Sequence, residues 1–257
     1  MTSRVVRSTN VDGQRFWLSF DSTVVAEPCI CCDAGPYYRK MTHELYETIL
    51  KRGKLPARDL AVDAATGSGQ AAKGLSPYFA KVVALDHDSE QLKHAPHLPN
   101  VTFKLGAAED TGLENNTADV IAIAAGLHWF DHDKFYPEAH RILKPGGCLA
   151  AWGYDLMTFP ENKRAQEELH KLFTFTLGPY WHPRVDHVWQ HYKDIEPPQA
   201  LFSSQHVQLK VDTTMTLSAL VGLVSTWSAY NSYRGDRPSR SPITFISSPE
   251  LNHNVKR

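Results

Sequence analysis

The segment Leu60-Ala-Val-Asp63-Ala-Ala65-Thr66-Gly67-Ser68-Gly69 puts a carboxylate at the end of a short apolar run, just ahead of two glycines. A strand that ends in a glycine turn lets a ligand approach the backbone with no Cβ in the way. The helix expected next presents unpaired N–H groups at its first turn, which suit an anionic or polar ligand group. A second acid, Asp86, closes another apolar run about twenty residues further on, the spacing of a ribose-binding carboxylate. These residues point to a ligand that carries a nucleoside.

Two ligand classes compete for such a loop. Gly67-Ser-Gly69-Gln-Ala-Ala72 fits the G-x-G-x-x-A string of nicotinamide dinucleotide sites. Asp63 argues the other way, because a carboxylate at the strand tip repels a pyrophosphate and attracts the ammonium of a methionine moiety. No downstream acid–base pair clearly suits hydride transfer. The charge of Asp63 tips the balance toward the methionine-containing ligand. Either acid also has a simpler reading, as a helix cap or turn residue.

Apolar strands that alternate with helical segments must hold these residues in place. Leu60 to Ala64, Lys81 to Leu85, Val101 to Leu105, Val120 to Ala125 and Cys148 to Trp152 are apolar runs, with helix-compatible stretches such as His132 to Leu143 between them. Each of these runs reads as uniformly apolar rather than alternating, as strands buried on both faces require. The pattern predicts an α/β fold: a Rossmann-like, open, mostly parallel sheet with helices on both faces. Tyr38 to Leu50 reads as a helix before the first of these strands. Pro160 to Leu177 and Leu217 to Tyr233 read as later helices, and Val207 to Val211 as a sixth strand. Residues 1–35 read as a loosely ordered arm with at most a short extended piece. Residues 36–233 form the main domain, with its core at 58–155 and a covering segment, rich in aromatic and His residues, at about 156–206. The polar, proline-bearing stretch 234–257 reads as a frayed tail.

These segments resemble the class I S-adenosylmethionine-dependent methyltransferases. Asp63-Ala-Ala-Thr-Gly67-Ser-Gly69 is similar to the family's first motif and Val82-Val-Ala-Leu-Asp86 to its second. Gly106-Ala-Ala-Glu109-Asp110 resembles the segment beside the adenine. Asp119 to Phe130, with His128-Trp129, resembles the fourth strand and its loop, and Ala139 to Gly147 the turn before the fifth. Within the class, the His-Trp pair and Leu223 to Tyr230 are similar to the trans-aconitate methyltransferase-like branch.

The resemblance implies transfer of a methyl group from S-adenosylmethionine to a small-molecule acceptor. It places Gly67 and Gly69 at the methionine part, Asp63 near its amine and Ala65 in the loop. Asp86 would hold the ribose hydroxyls, Ala108 and Glu109 would flank the adenine, and Ala125 to Trp129 would lie where sulfonium and acceptor meet. Tyr38 or Arg39 would clamp the cofactor carboxylate. His128 is either a general base or a wall of the acceptor pocket, with Trp129 as wall. A carboxylate acceptor would want a cation, for which Arg39, Lys163, Arg164 and Arg184 are candidates. A phenol or amine acceptor would want a base such as His128 or His182. The sequence departs from the family at three places. No proline follows Tyr37-Tyr38-Arg39, Ala65 stands where the loop's first glycine is usual, and only Ile243 to Ile246 could supply the customary last antiparallel strand. These departures keep a truncated or decayed, non-catalytic S-adenosylmethionine-binding relative in view.

Composition narrows the partners. The 27 basic and 28 acidic residues nearly cancel, so no broad phosphate-binding surface for nucleic acid is expected. No apolar run long enough for a membrane span appears. Cys29, Cys31 and Cys32 crowd one segment and Cys148 stands apart, which suits free thiols in a reducing cytoplasm better than a disulfide framework or a metal site.

Overall fold

Strands that are apolar along their whole length can be buried on both faces only inside a sheet covered by helices, and the chain builds such a sheet. The structure is a computed structural model describing residues 15–23, 35–159, 162–210 and 217–237. In chain order the elements are β1 (Arg15–Thr23), α1 (Gly35–Gly53), β2 (Leu60–Ala64), α2 (Gln70–Leu75), β3 (Lys81–Asp86), α3 (Ser89–Leu92), β4 (Val101–Leu105) and β5 (Ala118–Ala124). There follow α4 (His132–Ile142), β6 (Leu143–Tyr154), α5 (Lys163–Lys171), α6 (Asp186–Trp189), β7 (Phe202–Lys210), α7 (Leu217–Thr226) and α8 (Ser228–Asp236).

Seven strands form one sheet in the order β4-β3-β2-β5-β6-β1-β7. β2 lies parallel to β3 and to β5, with Asp63 opposite Ala84 on one side and Ala122 on the other. β3 continues parallel to β4, with Asp86 opposite Leu105. From β2 the chain winds outward through β3 and β4, then returns to the other side of β2 for β5 and β6. The strand order therefore reverses at β2 and β5, the point where open α/β sheets bind ligands at their strand C-termini.

The chain divides into two compact units, the first built on residues 46–151 with 15–19 and 195–206, the second mainly on 152–194 and 217–237. In the first unit Asp119, wholly buried at the start of β5, accepts the N–H groups of Asp59 (2.8 Å) and Leu60 (3.0 Å) and the ammonium of Lys144 (2.9 Å). Burial by itself would lower the pKa of Lys144, but Asp59 and Asp119 raise it, so the ion pair persists. In the second unit Met157, Leu169, Leu172, Leu177, Leu223 and Val224 make a separate apolar core.

Several elements differ from the sequence expectation. Arg15–Thr23, placed there in a loosely ordered arm, is a nine-residue strand inside the sheet. The stretch read as one helix from Leu217 to Tyr233 is two, because Trp227 adopts an extended backbone (ψ 136°) between α7 and α8. The helix expected from Pro160 starts at Lys163, where the Asn162 side chain caps it by accepting the N–H of Ala165, and it widens into a π-helical turn at Leu172–Thr176. The aromatic stretch before Pro198 holds short turns and α6, with His191 and Tyr192 both left-handed (φ 55° and 57°). Cys29 to Cys32 and Ile243 to Ile246 lie outside the described residues. Among the described residues no helix is long and apolar enough to cross a membrane, and no cluster of His, Cys, Asp or Glu is placed to hold a metal ion.

Candidate functional site

The loop after β2 turns through three left-handed residues, Ala65 (φ 59°), Gly67 (φ 55°) and Gly69 (φ 91°). The two glycines serve different ends. A Cβ on Gly67 would meet nothing nearer than Gln91 Oε1 at 3.9 Å, so this side of the loop is open to a ligand. A Cβ on Gly69 would strike the ring of Phe103 at 2.7 Å, so glycine here serves packing against β4. Ala65 holds a conformation that costs a residue with a Cβ about 1–2 kcal/mol. Its methyl faces Gly126, where an added Cβ would lie 2.7 Å from Ala65 Cβ. The residue standing in for glycine at the end of β2 is thus matched by a glycine just beyond β5.

Asp63 is wholly buried. Its Oδ2 accepts the Thr66 hydroxyl (2.5 Å) and the N–H of Ala72 (2.8 Å). The carboxylate takes up a first-turn N–H of α2 and holds the loop against that helix. The helix-cap reading of Asp63 describes these contacts.

Asp86 ends β3 and reaches sideways to the same loop. Its Oδ2 accepts the N–H of Gly67 (2.7 Å) and its Oδ1 the N–H of Asp88 (2.9 Å). A carboxylate offers about four acceptor sites, so both oxygens keep capacity for further donors beside the open face of Gly67. That combination suits a ribose diol.

The segment after β4 folds back at once, with the N–H of Gly106 donating to the Asp86 carbonyl (2.9 Å). Ala108 is buried, while Glu109 turns toward α4 and its Oε1 accepts the N–H of Asp131 (2.8 Å). Thr111 is tied to the same helix, its N–H and hydroxyl both donating to Glu138 Oε1. Burial opposes ionisation of Glu138, but Arg141 and Thr111 outweigh it and hold the carboxyl below its usual range.

After β5, Ala125 is left-handed (φ 49°), so non-glycine residues in this conformation lie just past both β2 and β5. Such backbone strain concentrates at functional sites. His128 is buried and Trp129 is 44% exposed, with ring centroids 4.6 Å apart. Gly67, Asp86, Ala65 and Gly126 therefore converge at the tips of β2, β3 and β5. Tyr38 and Arg39 belong to α1, but their side chains lie outside the described residues. In the second unit Trp152 is core, its indole N–H donating to the Tyr154 hydroxyl (3.0 Å). Lys163, Arg164 and Arg184 are exposed there. His182 caps a turn by accepting the N–H of Arg184.

Sequence reasoning did not single out Gly126, Phe103 or Gln91. Only Gly126 left a signal: an alanine in a glycine position asks for a small residue on the neighbouring strand end.

The family described as "Methyltransferase domain" matches residues 62–151, which hold all of these loops. A protein of Anaeromyxobacter dehalogenans named as a type II methyltransferase has a solved structure that is similar at 32% identity and a TM-score of 0.66, covering 84% of this chain and 87% of that one. A Dictyostelium discoideum protein named as a methyltransferase is 34% identical over 177 residues, covering 68% of this chain and 66% of its own length. A Saccharomyces cerevisiae protein named as an S-adenosylmethionine-dependent methyltransferase is 24% identical over 80% of this chain and 81% of its own.

Proposed function

Because the chain belongs to the class I S-adenosylmethionine-dependent methyltransferases, we propose that it transfers a methyl group from S-adenosylmethionine to a small-molecule acceptor. The observation that carries this reading is Asp86 bonded to the N–H of Gly67 beside the open face of that glycine. The residues present suit the cofactor: spare carboxylate lone pairs for a diol, a glycine face for close approach and, two residues past Gly106, a buried Ala108 for the base.

When bound, the cofactor supplies a sulfonium whose methyl is already electrophilic. The task left to the chain is alignment. Asp86 fixes the ribose and the open face of Gly67 admits the methionine part, while Asp63 beneath the loop adds negative charge that favours a cationic amino-acid tail over a diphosphate. The Ala125–Trp129 segment holds the acceptor side in line, since orientation can remove about 7–11 kcal/mol of a barrier. His128 acts as a wall in this reading, because it is buried against Trp129. In keeping with the trans-aconitate-like branch, the acceptor in this reading is a carboxylate.

Incubating the purified chain with a small-metabolite extract and isotope-labelled S-adenosylmethionine tests the proposal. Label in one or more small molecules is expected. Cofactor binding with no labelled product from any extract would favour a non-catalytic relative. His128→Asn is expected to keep turnover within tenfold, whereas a loss of about a hundredfold or more would make His128 a base.

A further inference from the structure

Strand β1 occupies an interior place in the sheet, between β6 and β7, although more than a hundred residues of chain separate it from either. We propose that the gap between β6 and β7 is a peptide-binding slot, filled by the chain's own residues 15–19 as a strap that reads basic–x–aromatic–x–hydroxyl. In strand insertion of this kind, main-chain bonds to both neighbours give affinity and alternate side chains give specificity.

The alternate side chains here are Arg15, Trp17 and Ser19. Arg15 donates to the carbonyl of Leu143 at the start of β6 (2.9 Å), to His140 Nε2 (2.9 Å) and to Asn116 Oδ1 (2.8 Å). Trp17 is wholly buried, edge-on to Tyr136 at 6.4 Å between centroids. Tyr136 and His140 are one turn apart on α4, and both rings also meet Phe202 of β7. Ser19 bonds to Nδ1 of His206 on β7, whose Nε2 contacts Glu196 at 2.5 Å. A serine, histidine and carboxylate in series invite a hydrolase reading. Ser19 is 1% exposed, however, so no substrate reaches it and the series serves as a clamp. Each of the three side chains enters a recess built by later parts of the chain. Without the strap, β6 and β7 would both present unpaired backbone edges.

The test uses the full chain with a protease recognition sequence placed between residues 24 and 34. After cleavage, the N-terminal fragment is expected to stay with the body through gel filtration. A fluorescent peptide of residues 12–23 is expected to exchange into the nicked protein, and replacing Trp17 or Arg15 by Ala in that peptide should weaken its binding by about tenfold to several hundredfold. Uncleaved Ser19→Ala provides a milder check. Amide exchange should quicken in 143–151 and 202–206 while 60–64 and 81–86 stay unchanged. Separation of the fragment from nicked wild-type protein, equal binding of all peptide variants, or unchanged exchange in Ser19→Ala would each overturn the proposal.

Discussion

The contact between Ala65 and Gly126 makes a quantitative prediction. In Gly126→Ala the new Cβ would sit 2.7 Å from Ala65 Cβ, where ordinary contact begins at 3.4 Å, so the two strand ends must part by about 0.7 Å. Neither atom is the far end of a flexible side chain, and overpacking of this kind costs about 1–3 kcal/mol. The backbone of Gly126 itself (φ −116°) is open to alanine. Ala65→Gly relieves about 1–2 kcal/mol of left-handed strain but returns about 0.5–1 kcal/mol of freedom to the unfolded chain, a net gain of about 0–1.5 kcal/mol. With Ala65 gone, the nearest atom to the new Cβ is Ile123 Cγ2 at 3.4 Å, an ordinary contact. Gly126→Ala should then be nearly neutral. Urea unfolding of wild type, both single variants and the double variant measures the coupling, expected at about 1–3 kcal/mol. Additive costs, agreeing within about 0.5 kcal/mol, would refute the steric pairing of the two strand tips.

Other predictions follow from the same contacts. Asp86→Ala should weaken S-adenosylhomocysteine binding about tenfold to a hundredfold, with a smaller loss of ligand-free stability, since charge-assisted hydrogen bonds contribute about 1.5–3 kcal/mol; calorimetry and thermal unfolding separate the two. Asp119→Ala strips a buried partner from Lys144 and from the N–H groups of Asp59 and Leu60 at the entry to β2, and should cost about 3–5 kcal/mol in urea unfolding. His140, whose pKa burial and then Arg15 push below 6.5, accepts from Arg15 only while Nε2 is unprotonated. Its contribution to stability is therefore present above pH 6.5 and is lost as pH falls through the lowered value. The urea midpoint of wild type should drop on acidification, and His140→Gln should drop less. An identical acid slope in both would contradict the Arg15–His140 contact.

Much of the fold could be read from local pattern. β2 spans Leu60–Ala64, the limits of its apolar run, because a strand buried on both faces ends where polarity begins. β4 keeps the expected limits Val101–Leu105 but is the edge strand, with Thr102, Lys104 and Leu105 exposed, so the expectation of burial on both faces fails there. The glycine turn and Asp86 were legible for a related reason: their chemistry depends on neighbours in sequence. What depends on distant partners was not. Arg15, Trp17 and Ser19 look like parts of an arm until His140, Tyr136 and His206 supply their recesses. The acids were found but not their aim. Asp63 turns under the loop to Ala72, and Glu109 turns to the N–H of Asp131, directions that no spacing rule encodes.

The central claim is that the tips of β2 and β3 receive S-adenosylmethionine. Calorimetric titration of the purified chain with S-adenosylhomocysteine and, separately, with NAD tests it most directly. Saturable heat with the first ligand, weakened about tenfold to a hundredfold in Asp86→Ala, and none with the second is the predicted result. Saturable binding of NAD with no heat from S-adenosylhomocysteine would contradict it.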